Sequence, residues 1–180
     1  LQKATSPISE AYRTIRTSMQ FIAQDRNQKI FVISSSVASE GKSLTTFNMG
    51  VSFAQGNLKT LVIDADLRRA SQHKLLDIKR VTGLTDILLG DYTLEEAVRE
   101  TDTKNLYLVT AGRSVNSPAE LLSSHTMEKF LEEQETKFDI ILVDTPPISP
   151  VMDSRYLANF TGGMVLIVKA ESTKTPVLEH

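Results

Sequence analysis

The feature that most constrains the fold of this chain is a set of short apolar segments that alternate with helix-forming ones. Five runs rich in Val, Ile and Leu are predicted to be β-strands, covering residues 29–35, 60–65, 106–111, 139–144 and 164–169. Strands that are apolar on both faces are typical of sheets covered by helices on each side. The pattern therefore predicts an α/β fold, a doubly wound and mostly parallel sheet flanked by helices.

Helices are predicted before and between these strands. The first begins at Pro7 after an N-cap at Ser6, because Ser favours the N-cap and Pro the first helical position. Its apolar stripe has helical spacing and consists of Ile8, Tyr12, Ile15, Met19 and Ile22. The other predicted helices cover residues 42–55, 84–89, 94–99, 118–123 and 126–135, and residues 66–83 are expected to be irregular.

Composition limits the kind of protein that the sequence encodes. The 180 residues contain 20 Lys and Arg against 22 Asp and Glu, a balance that argues against a nucleic-acid partner. There is no Cys, which excludes disulfides and cysteine-ligated metals and suits the cytosol. The length predicts one domain over residues 1–177, and residues 178–180 read as the remnant of a purification tag.

The strongest local signal lies between the first predicted strand and the next helix. This segment holds the candidate nucleotide-binding residues, which are Ser36, Val37, Ala38, Ser39, Glu40, Gly41, Lys42, Ser43 and Leu44. It matches the phosphate-binding pattern G-x-x-x-x-G-K-[ST], except that Ser36 replaces the first Gly. The alternative is a surface loop that merely contains Gly-Lys-Ser, and the strand–loop–helix context weakens that interpretation.

Three residues of this loop have separate predicted roles. Gly41 lacks a Cβ and lets the backbone approach a phosphate closely, where N–H groups at a helix N-terminus attract the anion. The Lys42 ammonium would bridge the β- and γ-phosphates, and the Ser43 hydroxyl would bind Mg²⁺. The loop therefore predicts binding of ATP with Mg²⁺.

Carboxylates follow two of the predicted strands. Asp64 and Asp66 come at the end of the second strand, and Asp144 ends the fourth. Because ligands of open α/β sheets bind outside the carboxyl ends of the strands, all three should face the crevice beside the phosphate-binding loop. A carboxylate there can hold Mg²⁺ or its water shell. Capping a turn is the alternative for any one of them, and it is weak for three together.

These motifs resemble those of the bacterial tyrosine kinases, P-loop kinases that regulate capsule and exopolysaccharide synthesis. The loop at 36–43 is similar to their Walker A motif. The stretch VIDADLR, with Asp64 and Asp66, is similar to their Walker A′ motif, and ILVDTPP, with Asp144, to their Walker B motif. The resemblance extends over nearly the whole chain.

The resemblance implies an ATP-dependent protein-tyrosine kinase. Lys42, Asp64 and Asp66 would be its catalytic residues, one of the two acids accepting the proton of the tyrosine hydroxyl. Asp64 is the family-like choice for that base, although the sequence alone does not separate it from Asp66. The magnesium ligands implied in the same way are Ser43, Asp64 and Asp144.

The first helix also matches a family motif. Glu10, Arg13 and Arg16 form E-x-x-R-x-x-R, which in the family makes the subunit contacts of a ring-shaped homo-oligomer. Residues 1–28 are therefore expected to be an oligomerisation region. A solvated charged helix face explains the same spacing if it is considered alone.

The resemblance further implies partners. Family substrates are proteins phosphorylated on tyrosine, including a tyrosine cluster at the C-terminus of the kinase, and no such cluster is present in this sequence. In many relatives a separate membrane adaptor activates the kinase through its cytoplasmic tail. The chain is therefore expected to be cytoplasmic and recruited to the inner face of the cell membrane. A fused kinase whose membrane part was removed is the alternative.

The competing assignment is a MinD/ParA-type ATPase, which shares the fold and acts as a nucleotide-dependent dimerisation switch. Such ATPases carry a signature Lys at the second position of the phosphate-binding motif, where this chain has Val37. They also lack the E-x-x-R-x-x-R helix. Arg68 could reach a phosphate in either protein, and an ordinary surface role explains it equally well.

Overall fold

The computed structural model describes residues 6–79, 82–148, 153–161 and 163–170. The helices in these ranges are α1 (Pro7–Arg26), α2 (Lys42–Gln55), α3 (Gln72–Leu75), α4 (Leu84–Leu88), α5 (Leu94–Ala97), α6 (Pro118–Leu122), α7 (His125–Glu135) and α8 (Asp153–Thr161). The strands are β1 (Ile30–Ser35), β2 (Thr60–Asp64), β3 (Arg99–Glu100), β4 (Leu106–Val109), β5 (Ile140–Asp144) and β6 (Met164–Ile167). The predicted tag remnant at 178–180 lies outside the described residues. Within them, no helix has the length and apolarity needed to cross a membrane.

The strands form one sheet in the order β3-β4-β2-β5-β1-β6. Neighbouring strands are parallel except for β3, which pairs with β4 in the antiparallel direction. The predicted α/β fold with a mostly parallel sheet is confirmed. The helix predicted over 94–99 is too long, because Val98 is extended and ends the helix at Ala97. Arg99 and Glu100 then pair along the edge of β4.

The three central strands account for most of the core. Every residue of β1, β2 and β5 is buried. Successive side chains point to opposite faces of the sheet, so Leu61 and Ile63 join one apolar cluster and Val62 joins the other. The outer strand β6 has only half-buried residues, as expected at the edge of the sheet.

The helix after β1 has the predicted bounds, Lys42–Gln55. The other predicted helices end within two residues of the expected positions. Two helices, α3 and α8, are not predicted from the sequence. The first turn of α3 depends on a tertiary contact, since the N–H groups of Ser71 and Gln72 both donate to Asp64 Oδ2 at 3.0 Å.

The first helix begins where predicted, capped by the Ser6 hydroxyl, but only part of its predicted apolar stripe packs against the core. Of the predicted apolar stripe only Met19 is buried. The side chains of Ile8, Ile15 and Ile22 are 69%, 39% and 41% exposed. Tyr12 and Met19 do pack against the core, so only the three isoleucines of the stripe lie off the packing face of α1.

Polar contacts explain the orientation of α1 on α2. Arg16 Nη1 donates to the carbonyl of Ser52 at 2.7 Å, and that carbonyl lies in the last turn of α2, where a cation is favourable. Asn48 Nδ2 also donates to the Tyr12 hydroxyl at 3.3 Å. Apolar periodicity does not predict such polar contacts and therefore locates the packing face of α1 only in part.

Candidate active site

The predicted site residues meet at the carboxyl end of the sheet. Strand β1 leads into the loop at 36–41, while the neighbouring strands β2 and β5 end in Asp64 and Asp144. These two aspartates are register partners on adjacent parallel strands. Asp66 follows two residues after Asp64. The topology therefore brings the loop and all three predicted carboxylates to one edge.

The loop has the backbone of an anion-binding turn. Gly41 is the N-cap of α2 and has a φ of 84°, in the left-handed region that favours glycine. Ser39 also has a positive φ, of 69°. The first N–H groups of α2 have no helical partners, so they and the helix dipole present positive charge to this edge of the sheet.

Ser36, which stands in place of the usual first glycine, is tied to a carboxylate of the same loop. Its hydroxyl lies 2.8 and 2.9 Å from the two oxygens of Glu40, and the Val37 N–H donates to Glu40 Oε2 at 3.0 Å. The backbone N–H of Lys169, just after β6, donates to Glu40 Oε1 at 3.2 Å. Glu40 therefore joins the start of the loop to the edge strand. From the sequence it is predicted only as a loop residue, and no sequence pattern indicates these contacts.

Lys42 turns its ammonium toward the carboxylates. It is buried and forms an ion pair with Asp144 Oδ1. Its Nζ lies 4.0 Å from Asp66 Oδ2 and 3.3 Å from Ser43 Oγ. One cation thus offsets the charge of two acids, and a phosphate entering the loop would compete with them for it.

Asp64 is the carboxyl whose proton affinity changes most. It is fully buried, and burial followed by the charge of Asp144 raises its pKa to about 7, although two backbone N–H donors oppose the shift. Its Oδ2 accepts those two hydrogen bonds. Its Oδ1 has no hydrogen-bond partner among the described residues. Such a carboxyl can take up or release a proton near neutral pH.

Asp66 lies closer to solvent than Asp64 does. Its Oδ1 accepts the Arg69 N–H at 2.9 Å, and the side chain lines an open cleft of about 510 Å³. The loop, the segment after β2 and the segment after β5 form this cleft, which is lined by Ser35, Ala38, Ser39, Gly41, Lys42, Ser43, Leu44, Asp66, Arg68, Arg69, Ser71, Pro146 and Pro147. Arg68 therefore lies where a phosphate could be reached.

One residue of the site is not identified by sequence analysis. Gln72 is fully buried, and its Nε2 donates to the Ser43 carbonyl at 3.0 Å and to Asp144 Oδ2 at 2.7 Å. It lies in the segment predicted to be irregular, and no motif marks it. Only the folded chain shows that it contacts both the loop and the end of β5.

The three residues of the helix motif do not share a contact. Glu10 and Arg13 form an exposed ion pair at 2.5 Å on the surface of α1. Arg16 points toward α2 instead, where it binds the Ser52 carbonyl. Glu10 and Arg13 are therefore exposed on the surface of α1, while Arg16 makes a contact within the chain.

Comparison with known proteins relates the sequence to a family. The family described as AAA domain matches residues 28–172. The tyrosine-protein kinase YwqD of Bacillus subtilis is 41% identical over 166 residues, which cover 92% of this chain and 70% of YwqD. The tyrosine-protein kinase CpsD of Streptococcus agalactiae is 34% identical over 171 residues, which cover 94% of this chain and 73% of CpsD.

Solved structures share the fold. The crystal structure of the chimerical protein CapA2B2 has a TM-score of 0.93 at 30% identity and covers 99% of this chain and 78% of its own. The septum site-determining protein MinD of Pyrococcus horikoshii, complexed with Mg-ADP, has a TM-score of 0.66 at 25% identity and covers 78% of this chain and 57% of its own. A fold of this kind, with the phosphate-binding loop after β1, implies that the chain binds a nucleotide.

Proposed function

The chain belongs to the bacterial tyrosine-protein kinases of capsule and exopolysaccharide synthesis, and we propose that it binds Mg²⁺ and ATP between residues 36–44 and the strand-end carboxylates. The observation that carries this proposal is the convergence of a buried Lys42 with Asp66 and Asp144 beside an anion-binding loop. A dimerising ATPase of the MinD type is the weaker alternative, because the likeness to MinD is lower and Val37 occupies its signature Lys position.

The loop holds the phosphates of ATP. Its backbone N–H groups and the N-terminus of α2 bind the β-phosphate. The Lys42 ammonium, paired with Asp144 in the structure, moves to the β- and γ-phosphates when they arrive. That movement leaves Asp144 available to the metal.

The residues around this point fit a magnesium ion. Ser43, Asp64 and Asp144 offer oxygen atoms, the ligands that Mg²⁺ prefers, and Asp64 Oδ1 is a buried oxygen without a partner among the described residues. Bound Mg²⁺ neutralises charge on the transferring phosphoryl group. The buried carboxylates keep their ligand atoms oriented before the metal binds.

Phosphotransfer then requires a base for the acceptor. The tyrosine oxygen bonds to the γ-phosphorus, the bond from that phosphorus to the ADP oxygen breaks, and the hydroxyl proton passes to a carboxylate. Asp64, the family-like choice, is proposed to take this proton. Asp66, which lines the cleft, is the alternative base.

The outer face of α1 is the oligomerisation surface. Glu10 and Arg13 are exposed there, where a neighbouring subunit could contact them. Arginine can clamp a carboxylate of that neighbour through two hydrogen bonds. A directional contact of this kind can close into a ring.

Replacing Arg13 and Arg16 separately distinguishes a subunit contact from an internal one. Arg13→Ala is expected to lower the oligomer mass in light scattering while changing the free energy of unfolding by less than about 0.5 kcal/mol, because its only described pair is an exposed ion pair. Arg16→Ala should lower the free energy of unfolding by about 1–2 kcal/mol through loss of the Ser52 contact. An unchanged mass for Glu10→Ala, Arg13→Ala and Arg16→Ala combined would mean that the motif makes no subunit contact.

A membrane adaptor is the proposed activator. The closeness of the fold to the chimerical protein CapA2B2 supports a partner of the CapA type. Its cytoplasmic tail would hold the kinase at the inner face of the membrane. Ordering the nucleotide site is how such a tail would raise activity.

Phosphorylation in trans tests the proposed function. The chain is incubated with ATP, Mg²⁺ and a catalytically inactive relative that carries a C-terminal tyrosine cluster, with and without an adaptor tail. Mass spectrometry should find phosphotyrosine on the acceptor, more of it with the tail and none without Mg²⁺. Absence of phosphotyrosine when every component is present would favour the MinD-type ATPase.

A further inference from the structure

We infer that Gln72 is a positioning residue of the metal site, which orients Asp144 and accepts a hydrogen bond from a magnesium-bound water. The inference rests on the Mg²⁺ and nucleotide site proposed above, and it concerns a residue outside the three sequence motifs. Gln72 is the first residue of α3 and is fully buried.

Gln72 hydrogen-bonds to all three motifs. Its side-chain Nε2 donates to the carbonyl of Ser43 in the loop and to Asp144 Oδ2 at the end of β5. Its backbone N–H donates to Asp64 Oδ2 at the end of β2. The position of α3 therefore fixes two carboxylates and the loop relative to each other.

The orientation of the Gln72 amide follows from its partners. A carbonyl and a carboxylate only accept hydrogen bonds, so the atom between them must be the NH₂ group. The carboxamide oxygen then points away from both. Among the described residues that oxygen, Oε1, is buried and has no donor.

Two buried acceptors of the site thus lack a donor, Gln72 Oε1 and Asp64 Oδ1. Leaving a buried acceptor unpaired is unfavourable, and unpaired oxygens in native proteins commonly mark a missing water or ion. Magnesium keeps several water ligands, each of which can donate hydrogen bonds. When Mg²⁺ is bound, one of these waters would supply the donor that Gln72 Oε1 lacks, while Gln72 Nε2 donates to Asp144 Oδ2.

A second glutamine provides a matched control. Gln134 is also buried in a helix and also has an unpaired Oε1. Its Nε2 donates to the carbonyl of Phe130 within α7 and not to any site residue. Gln134→Leu therefore removes the same buried amide without touching the carboxylates.

The test compares ADP binding with and without the metal. Calorimetry on Gln72→Leu should find ADP affinity reduced about tenfold or more in Mg²⁺ and little changed in EDTA, because loss of a residue supporting metal ligands commonly weakens metal binding 10–100-fold. Gln134→Leu should match the parent chain in both conditions. An equal loss with and without Mg²⁺, or no loss in Mg²⁺, would overturn the role of Gln72.

Gln72→Asn covers the case in which Gln72→Leu does not fold. This variant keeps the polar amide but shortens the side chain, so the amide no longer reaches Asp144 Oδ2, and Mg²⁺ with ADP should raise its melting temperature less than that of the parent. An equal or larger rise would contradict the inference. If Mg²⁺ does not strengthen ADP binding to the parent chain, the magnesium site itself fails, which is a different result.

Discussion

Replacing Lys42 with Met is expected to lower phosphotransfer by about 10³-fold or more and to destabilise the ligand-free protein. The activity should fall because Lys42 is the cation proposed to bind the β- and γ-phosphates. The stability falls because Asp144, fully buried, loses its ion-pair partner. Breaking a buried pair from one side costs on the order of 3 kcal/mol. Rate assays and denaturant unfolding measure the two effects separately.

A double variant separates the two consequences. Lys42→Met combined with Asp144→Asn removes the unpaired charge, so it should recover much of the lost stability and none of the activity. Lys29→Met is the control, since Lys29 donates to the Glu135 carbonyl at the opposite end of β1. Its phosphotransfer should remain near that of the parent chain. Near-normal activity of Lys42→Met would contradict the assignment of the loop.

Replacing Asp64 with Asn is expected to lower phosphotransfer by about 10²–10⁴-fold, the range for loss of a general base. The same change should stabilise the ligand-free protein above pH 7. The pKa of Asp64 is about 7 in the folded chain and near 3.8 without burial, so the folded state binds this proton more tightly. Between about pH 4 and 7 the unfolded chain therefore releases this proton while the folded chain retains it, so the free energy of unfolding falls as the pH rises. Above pH 7 the contribution of Asp64 falls no further.

Thermal melting across pH checks the effect on stability. The melting temperature of Asp64→Asn should exceed that of the parent above pH 7, and the difference should shrink as the pH falls toward 4. A constant difference over this range would contradict the burial of Asp64. If Asp66→Asn lowers phosphotransfer more than Asp64→Asn does, Asp66 is the base.

The sequence predicts those parts of the site that depend on local pattern. The loop at 36–43 lies in a strand–loop–helix context, and Asp64 and Asp144 each close an apolar strand, so both can be located without a structure. The bounds of α2 follow from the same pattern, since Gly56 ends an otherwise regular helix. Parallel order of the strands then brings these residues together.

The parts that escaped prediction depend on contacts between distant segments. Gln72 enters the site because the irregular stretch after β2 folds back over Asp64 and Asp144. Arg16 donates to the Ser52 carbonyl of α2, a contact that apolar spacing does not predict, and the isoleucines of α1 are exposed. Glu40 accepts hydrogen bonds from Ser36 and from the segment just after β6, and hydrophobic periodicity does not predict such contacts.

A site that transfers phosphate to tyrosine, and does not only hydrolyse ATP, is recognised by counting both products of one reaction. ADP and phosphotyrosine are quantified in one reaction that contains the chain, an adaptor tail and a catalytically inactive acceptor with a tyrosine cluster. Phosphotyrosine should accumulate in proportion to ADP, and both should disappear without Mg²⁺ or in Lys42→Met. Sustained release of ADP with no phosphotyrosine would contradict phosphate transfer to tyrosine at this site.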